Sequence, residues 1–196
     1  MVAALAAGRG VQVASAVAYL SDEALGGVIE AWNRFRDQTE RLAREIGEAL
    51  REVFPEDAWD RLDAAQKPTA LEEARRLIHE RHGVVRDTWI EWNDEDDPGL
   101  WYDEHTGAIH FPRHHLETAS AEQAVAGLAE EMRHAWQFDV VDGRLEHPLG
   151  DIGRQRLGDA HAIYDANDPV KYSGSELEMD AQDFAADVVA GYSGDE

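Results

Sequence analysis

The chain contains no cysteine and few basic side chains. Its 196 residues include 18 Lys and Arg against 41 Asp and Glu, which gives a formal net charge of −23. Without cysteine there are no disulfides, thiolate nucleophiles or cysteine-ligated zinc sites, so His, Asp or Glu must hold any metal ion. The shortage of clustered cations argues against a nucleic-acid binder and against docking to an anionic membrane surface.

Long apolar runs are also missing. No uninterrupted stretch approaches the roughly 18 residues that span a bilayer. Residues 1–20 come closest, but Gly8, Arg9 and Gly10 interrupt them and no basic segment precedes them, so we recognise neither an anchor nor a signal peptide. We expect a protein that is cytoplasmic, or that is delivered as part of a larger bacterial polypeptide.

The first part of the chain indicates a helical module. Thr69 and Glu72 have the spacing of a capping box, and Gly83 is a typical helix stop. His79 and His82 fall in the last turn before that stop, where we expect them to be solvated. The module spans residues 1–83, with helices predicted at Ser21–Phe54, at 57–65 and from Thr69 to Gly83.

The second part of the chain, residues 84–196, mixes strand and helix signals and predicts the α+β class. Alternation and β-branched residues indicate strands, and Gly107 marks a hairpin turn. Ser120 and Gln123 form a second capping box. The predicted elements are a strand at Val84–Trp92, a hairpin at Leu100–Phe111, and helices at Ser120–Val141, Arg154–Tyr164 and Ser175–Ala190.

Chemistry concentrates on the helix that begins at Ser120. Glu130 and His134 are four residues apart and project from one helix face, and Glu131 stands beside them. Zinc hydrolases use this geometry, because two ligands one turn apart grip the ion and the intervening acid reaches its bound water. A core stripe runs alongside at Val125, Leu128, Ala129, Met132, Ala135 and Trp136.

The segment Leu128–Gln137 resembles the His-Glu-x-x-His helix of the zincin metallopeptidases, with Glu130 where that superfamily has its first zinc-binding histidine. Two flanking patterns are similar to small bacterial toxin or effector members: Tyr102–Ile109 before this helix and Glu178–Ala185 after it. The resemblance covers about residues 89–190 and implies a zincin-like domain. It further implies that His134 and Glu178 are metal ligands and that Glu131 is the general base.

The glutamate at position 130 leaves the metal open. A carboxylate binds zinc at about 2.0 to 2.2 Å, so Glu130, His134 and Glu178 could still form a three-ligand site. Zinc is the expected divalent ion, and Mn²⁺ or Fe²⁺ are alternatives because they tolerate an oxygen-rich shell. Without an ion the carboxylates should repel one another, which raises the pKa of at least one of them. Asp180 is the alternative third ligand.

These features predict a metal-dependent hydrolase that cleaves a peptide bond. We expect a peptide or protein substrate that pairs with the strand Ala108–Phe111, and the helical module could bind a partner protein. The alternative is an inactive zincin-like binding domain that has lost its metal. A di-iron helical bundle ranks last, because only one Glu-x-x-His pair is present. A histidine near the hairpin could replace the missing imidazole: His105, His110, His114 or His115.

Overall fold

The computed structural model describes residues 22–93, 99–163 and 175–194. It divides into two compact units, one up to Asp37 and one from Gln38 onward. Helix α1 (Asp22–Val53) contributes to both. The second unit contains residues on both sides of position 83, and a functional division at that position stays a prediction.

The second unit is mainly helical and holds a small sheet, which confirms the α+β class. Its further helices are α2 (Glu56–Trp59), α3 (Lys67–His82), α4 (Arg113–Thr118), α5 (Ala121–Val141), α6 (Gly150–Ile163) and α7 (Glu176–Ser193). Its strands are β1 (Trp89–Asn93), β2 (Trp101–Tyr102) and β3 (Ala108–Pro112). No helix within the described residues is long and apolar enough to cross a bilayer.

Helix α5 is the centre of the second unit. The predicted capping box forms: Ser120 Oγ accepts from the Gln123 backbone N–H at 3.2 Å, and Gln123 Oε1 accepts from the Ser120 N–H at 2.9 Å. Every residue of the predicted core stripe is buried. Several polar residues of α5 are buried as well, because other elements contact this helix on most of its faces: α2, α3, α6, α7 and β2.

Helix α7 is wedged between α5 and the C-terminal part of α1. A methyl group on Gly47 would overlap the carbonyl oxygen of Val188, and one on Gly191 would overlap that of Arg44. The two backbones therefore touch where α1 and α7 cross, which only glycine allows. The hydroxyl of Tyr192 fixes the same crossing by donating to the carbonyl oxygen of Phe54 at 2.7 Å.

The sheet has the order β1-β3-β2, with β1 parallel and β2 antiparallel to β3. The predicted hairpin is confirmed, and Gly107 in its turn has a φ of 92°. The expectation that Ala108–Phe111 pairs with an extended substrate is wrong. Strand β3 is central: β1 bonds to it along its full length, and β2 holds part of its other edge.

The first predicted strand begins five residues later than expected, at Trp89 instead of Val84. The backbone N–H groups of Val85 and Arg86 donate to Oδ2 of Asp139, at 2.7 and 3.1 Å, so they are unavailable to a strand ladder. A buried side chain has replaced a neighbouring strand as their acceptor.

The capping box predicted at Thr69 and Glu72 is wrong. Helix α3 already begins at Lys67, and its cap residue Gln66 makes no side-chain cap bond. Glu72 instead accepts from the backbone of Ile90 at 3.1 Å and from Arg75 at 2.6 Å. Gly83 ends the helix as predicted, in the left-handed conformation. Two helix boundaries also differ from the prediction: α2 ends at Trp59 instead of residue 65, and α6 begins at Gly150 instead of Arg154. Ser21 and Tyr164 lie outside the described residues.

The prediction that His82 is solvated is also wrong. Its ring is 6% exposed and stacks between Phe184 and Trp136, at centroid distances of 4.5 and 5.6 Å. Burial lowers its pKa well below the usual value, and the nearby Arg133 charge adds to this effect. The histidine therefore behaves as an aromatic core residue.

A second buried histidine, His147, makes the fold sensitive to acid. Its Nδ1 accepts from the backbone of Leu149 at 3.0 Å, and its ring fills the space above Gly153. Burial, helped by the charges of Arg133 and Arg156 and opposed by Asp180, lowers the pKa of His147 to about 4. The ring must be neutral to accept that hydrogen bond.

We expect His147 to destabilise the fold as the pH falls from about 6.5 to about 4. The unfolded chain takes up this proton before the folded chain does, so the free energy of unfolding decreases in that window, by about 2 kcal/mol at pH 5. In His147→Asn the amide oxygen can accept from Leu149 without titrating. Urea unfolding of both proteins at pH 7.5 and pH 5 should show the wild type losing more; equal losses would contradict the prediction.

Candidate metal centre

Three predicted site residues meet where α5 and α7 pack together. One ligand atom each from Glu130, His134 and Glu178 lies within 4.8 Å of the other two. Glu130 and His134 come from successive turns of α5, and Glu178 comes from the first turn of α7, just after the cap residue Ser175. The group could hold a metal ion. Two segments more than forty positions apart thus form one cluster.

Glu178 is the most deeply buried member of the cluster, with 2% of its surface exposed. Its Oε1 accepts from Gln182 at 2.9 Å. Its Oε2 lies 3.5 Å from Nε2 of His134 and has no hydrogen-bond donor among the described residues. Burial alone would raise the pKa of Glu178, but the neighbouring His134 imidazole lowers it. One carboxylate oxygen is therefore left facing the cluster.

The other two members show the electrostatic strain that closely spaced carboxylates create. Burial and the neighbouring Glu178 carboxylate raise the pKa of Glu130 to about 7. Burial opposes the charged form of His134, yet Glu178 and Glu131 together raise its pKa to about 9. Without an ion, the charged imidazole is what balances these carboxylates.

Glu131 lies beside the cluster and does not belong to the three-atom group. It is 5% exposed, and burial raises its pKa to about 7, while His134 and a hydrogen bond from the Tyr102 backbone lower it. That hydrogen bond ties the carboxylate to β2. The structure therefore places Glu131 at the junction of α5 and the hairpin, next to His134.

A buried ion-pair network holds the hairpin and its preceding loop against α5. Arg86 binds Asp139 at 2.7 Å and Asp142 at 2.8 Å, and it also donates to the hydroxyl of Tyr102 and the carbonyl oxygen of Glu104. Asp139 is fully buried and Arg86 is 7% exposed. Since Tyr102 also contacts Glu131, this network fixes one wall of the site.

The alternative ligands that the sequence suggested make other contacts. Asp180, the alternative third ligand, binds Arg133 through two hydrogen bonds of 2.8 and 3.1 Å. The hairpin histidines do not join the three-atom group. His110 stacks on Trp101 at a centroid distance of 3.9 Å, and its Nδ1 lies 3.3 Å from the Asn93 amide nitrogen. Among the described residues, no second histidine joins His134 in the cluster.

The sequence did not single out two further residues of α5, Gln137 and Arg133. Gln137 contacts His134, and Arg133 binds Asp180. Gln137 is three residues after His134, a spacing that puts the two side chains within reach on one helix face. That spacing was the available signal for Gln137. No sequence signal pointed to Arg133, because its partner Asp180 is 47 residues away.

Comparison with known proteins adds no relative to this chain. No known protein family, curated protein or solved structure matches it. The case for a function therefore depends on the geometry and chemistry of the cluster.

Proposed function

We propose that this protein is a metal-dependent hydrolase, with Glu130, His134 and Glu178 holding a divalent cation. The observation that carries the proposal is the convergence of three ligand atoms within 4.8 Å at a largely buried position. Two carboxylates and one imidazole make a donor set that suits zinc, and Mn²⁺ or Fe²⁺ as alternatives.

The state of Glu178 supports a cation at this position. Its Oε2 atom is buried and has no hydrogen-bond donor among the described residues, which is costly because this oxygen has lost its contact with water. A cation would supply that missing partner. It would also offset the Glu178 charge, which together with burial raises the pKa of Glu130.

Glu131 is suited to act as the general base. A divalent cation held by the three ligands would supply Lewis acidity towards a water molecule. Glu131 has a pKa of about 7, near the value at which a carboxylate both accepts and returns a proton at neutral pH. Its hydrogen bond to the Tyr102 backbone restrains the carboxylate next to His134.

The order of elements supports a zincin-like reaction on a peptide bond. The hairpin of β2 and β3 precedes α5, which carries Glu130, Glu131 and His134, and α7 follows with Glu178. The zincin resemblance of the sequence has the same order. We therefore propose a peptide or protein substrate.

The ion pair between His134 and Glu178 favours a second candidate, a metal-free domain that binds a partner. The pKa of His134 is raised and that of Glu178 is lowered, so each group favours the charged form of the other, as in a structural ion pair. In that case the buried pair is structural, and the chain has no hydrolytic activity.

Metal analysis distinguishes the two candidates. Protein purified without chelator should carry near-stoichiometric metal, and His134→Ala/Glu178→Ala should carry none, because one ligand cannot hold a cation tightly. The control is His114→Ala/Glu117→Ala, which removes the same residue types from exposed positions on α4 and should retain the metal. Wild-type protein that has no metal, and gains no thermal stability from Zn²⁺, Mn²⁺ or Fe²⁺, would support the metal-free domain.

A further inference from the structure

The side-chain amide of Gln137 lies between the two helices that carry the candidate ligands. Its Oε1 is 2.9 Å from Nδ1 of His134 on α5. Its Nε2 is 2.9 Å from the carbonyl oxygen of Leu177 and 2.7 Å from Oδ2 of Asp180, both on α7. The residue is 1% exposed, so water does not compete for these hydrogen bonds.

The partners of Gln137 determine which way its amide faces. The Leu177 carbonyl and the Asp180 carboxylate are both acceptors, so only the NH₂ group can face them. The amide oxygen then faces His134 and can only accept, which means that Nδ1 of His134 carries a proton. When the ring is neutral, the lone pair is on Nε2, which lies 3.5 Å from Oε2 of Glu178.

Asp180 is in turn held in place as a hydrogen-bond acceptor. Arg133 binds it through two hydrogen bonds, and its guanidinium lies 4.1 Å from the ring centroid of Trp136 and 5.2 Å from that of Phe184. Because Arg133 holds both Asp180 oxygens in place, the carboxylate stays an acceptor for the Gln137 amide and keeps that amide in one orientation.

We propose that Gln137 is the positioning residue of this site. It sets the tautomer of His134 so that Nε2 is the ligand atom, and it bonds to the carbonyl next to Glu178, so one amide aligns the ligands of both helices. This inference rests on the proposed metal site. Histidines that bind metals commonly donate their second ring N–H to such a partner, and removing the partner weakens metal binding by about 10- to 100-fold.

NMR on full-length protein labelled with ¹⁵N-histidine tests the proposal. Metal-free wild type should show a slowly exchanging Nδ1–H of His134, because both the charged and the neutral ring donate to Gln137. With Zn²⁺ added, Nε2 should shift as the bound nitrogen and Nδ1 should keep its proton. In Gln137→Leu the protected Nδ1–H should be lost, and the Kd for Zn²⁺ should rise about 10- to 100-fold.

The control is Gln155→Leu, which replaces an exposed glutamine on α6. It should change neither the protected Nδ1–H signal of His134 nor the Kd for Zn²⁺. Zinc bound through Nδ1, or a Gln137→Leu protein with zinc affinity within twofold of wild type, would overturn the role of Gln137. The NMR spectrum of the wild type needs no variant, so it establishes the tautomer of His134 even if Gln137→Leu does not fold. Wild type that shows the protected Nδ1–H but binds no zinc would contradict the metal site itself and leave the hydrogen bond standing.

Discussion

Arg86→Met should reduce the free energy of unfolding by about 3 to 5 kcal/mol, the range for removing one partner of a buried ion pair. The substitution leaves Asp139 as a fully buried carboxylate whose remaining donors among the described residues are the backbone N–H groups of positions 85 and 86. Methionine fills a similar volume, so the loss reports the uncompensated charge more than a cavity. Urea unfolding at neutral pH measures it.

The matched control for this prediction is Arg154→Met. Arg154 lies 3.4 Å from Asp151 on the exposed face of α6, where 96% of the aspartate side chain is accessible. Exposed pairs contribute at most about 1 kcal/mol, because solvent screens them. Equal losses in the two variants would show that the buried network contributes no more than a surface pair, and that the hairpin is held by other contacts.

The effect of Arg86→Met should extend to the candidate site. Arg86 holds the Tyr102 hydroxyl, and the backbone of Tyr102 holds the Glu131 carboxylate. Losing the first contact loosens the second, although position 86 contacts none of the proposed ligands. We therefore expect Arg86→Met to disturb both the hairpin and the position of the proposed base Glu131.

The local elements could be predicted from the sequence because their signals are local. The Ser120 capping box, the Gly83 stop and the Gly107 turn each depend on residues within a few positions of one another, and each is confirmed. The predictions fail where a residue distant in sequence determines the local structure. Asp139 takes the N–H groups that would have begun β1 at Val84, and no pattern near residue 84 indicates that.

The site could be predicted in part for the same reason. Helical spacing put Glu130 and His134 on one face, and a family resemblance added Glu178, which the structure places beside them. The surrounding contacts were out of reach, because the pairing of Arg133 with Asp180 depends on how α7 packs on α5. That pairing engages Asp180 with the arginine and leaves Glu178 facing His134.

Glu130→His should strengthen zinc binding by at least about tenfold, or about 1.4 kcal/mol. The change puts a second imidazole one helical turn before His134, the i and i+4 spacing at which two histidines bind one zinc ion. It also removes the carboxylate that repels Glu178 and whose own pKa is raised to about 7. Competition with a coloured zinc chelator at pH 7.5 measures the affinity.

Two variants show whether the gain belongs to this position. Glu130→Gln removes the same charge without adding an imidazole, so it should weaken zinc binding if Glu130 is a ligand. Glu73→His adds a histidine at an exposed position of α3 and should leave the affinity unchanged. Because α5 already fixes position 130 one turn from His134, an imidazole placed there should need little rearrangement to reach the cluster. Unchanged affinity in Glu130→His would therefore contradict the alignment of α5 with the metallopeptidase helix.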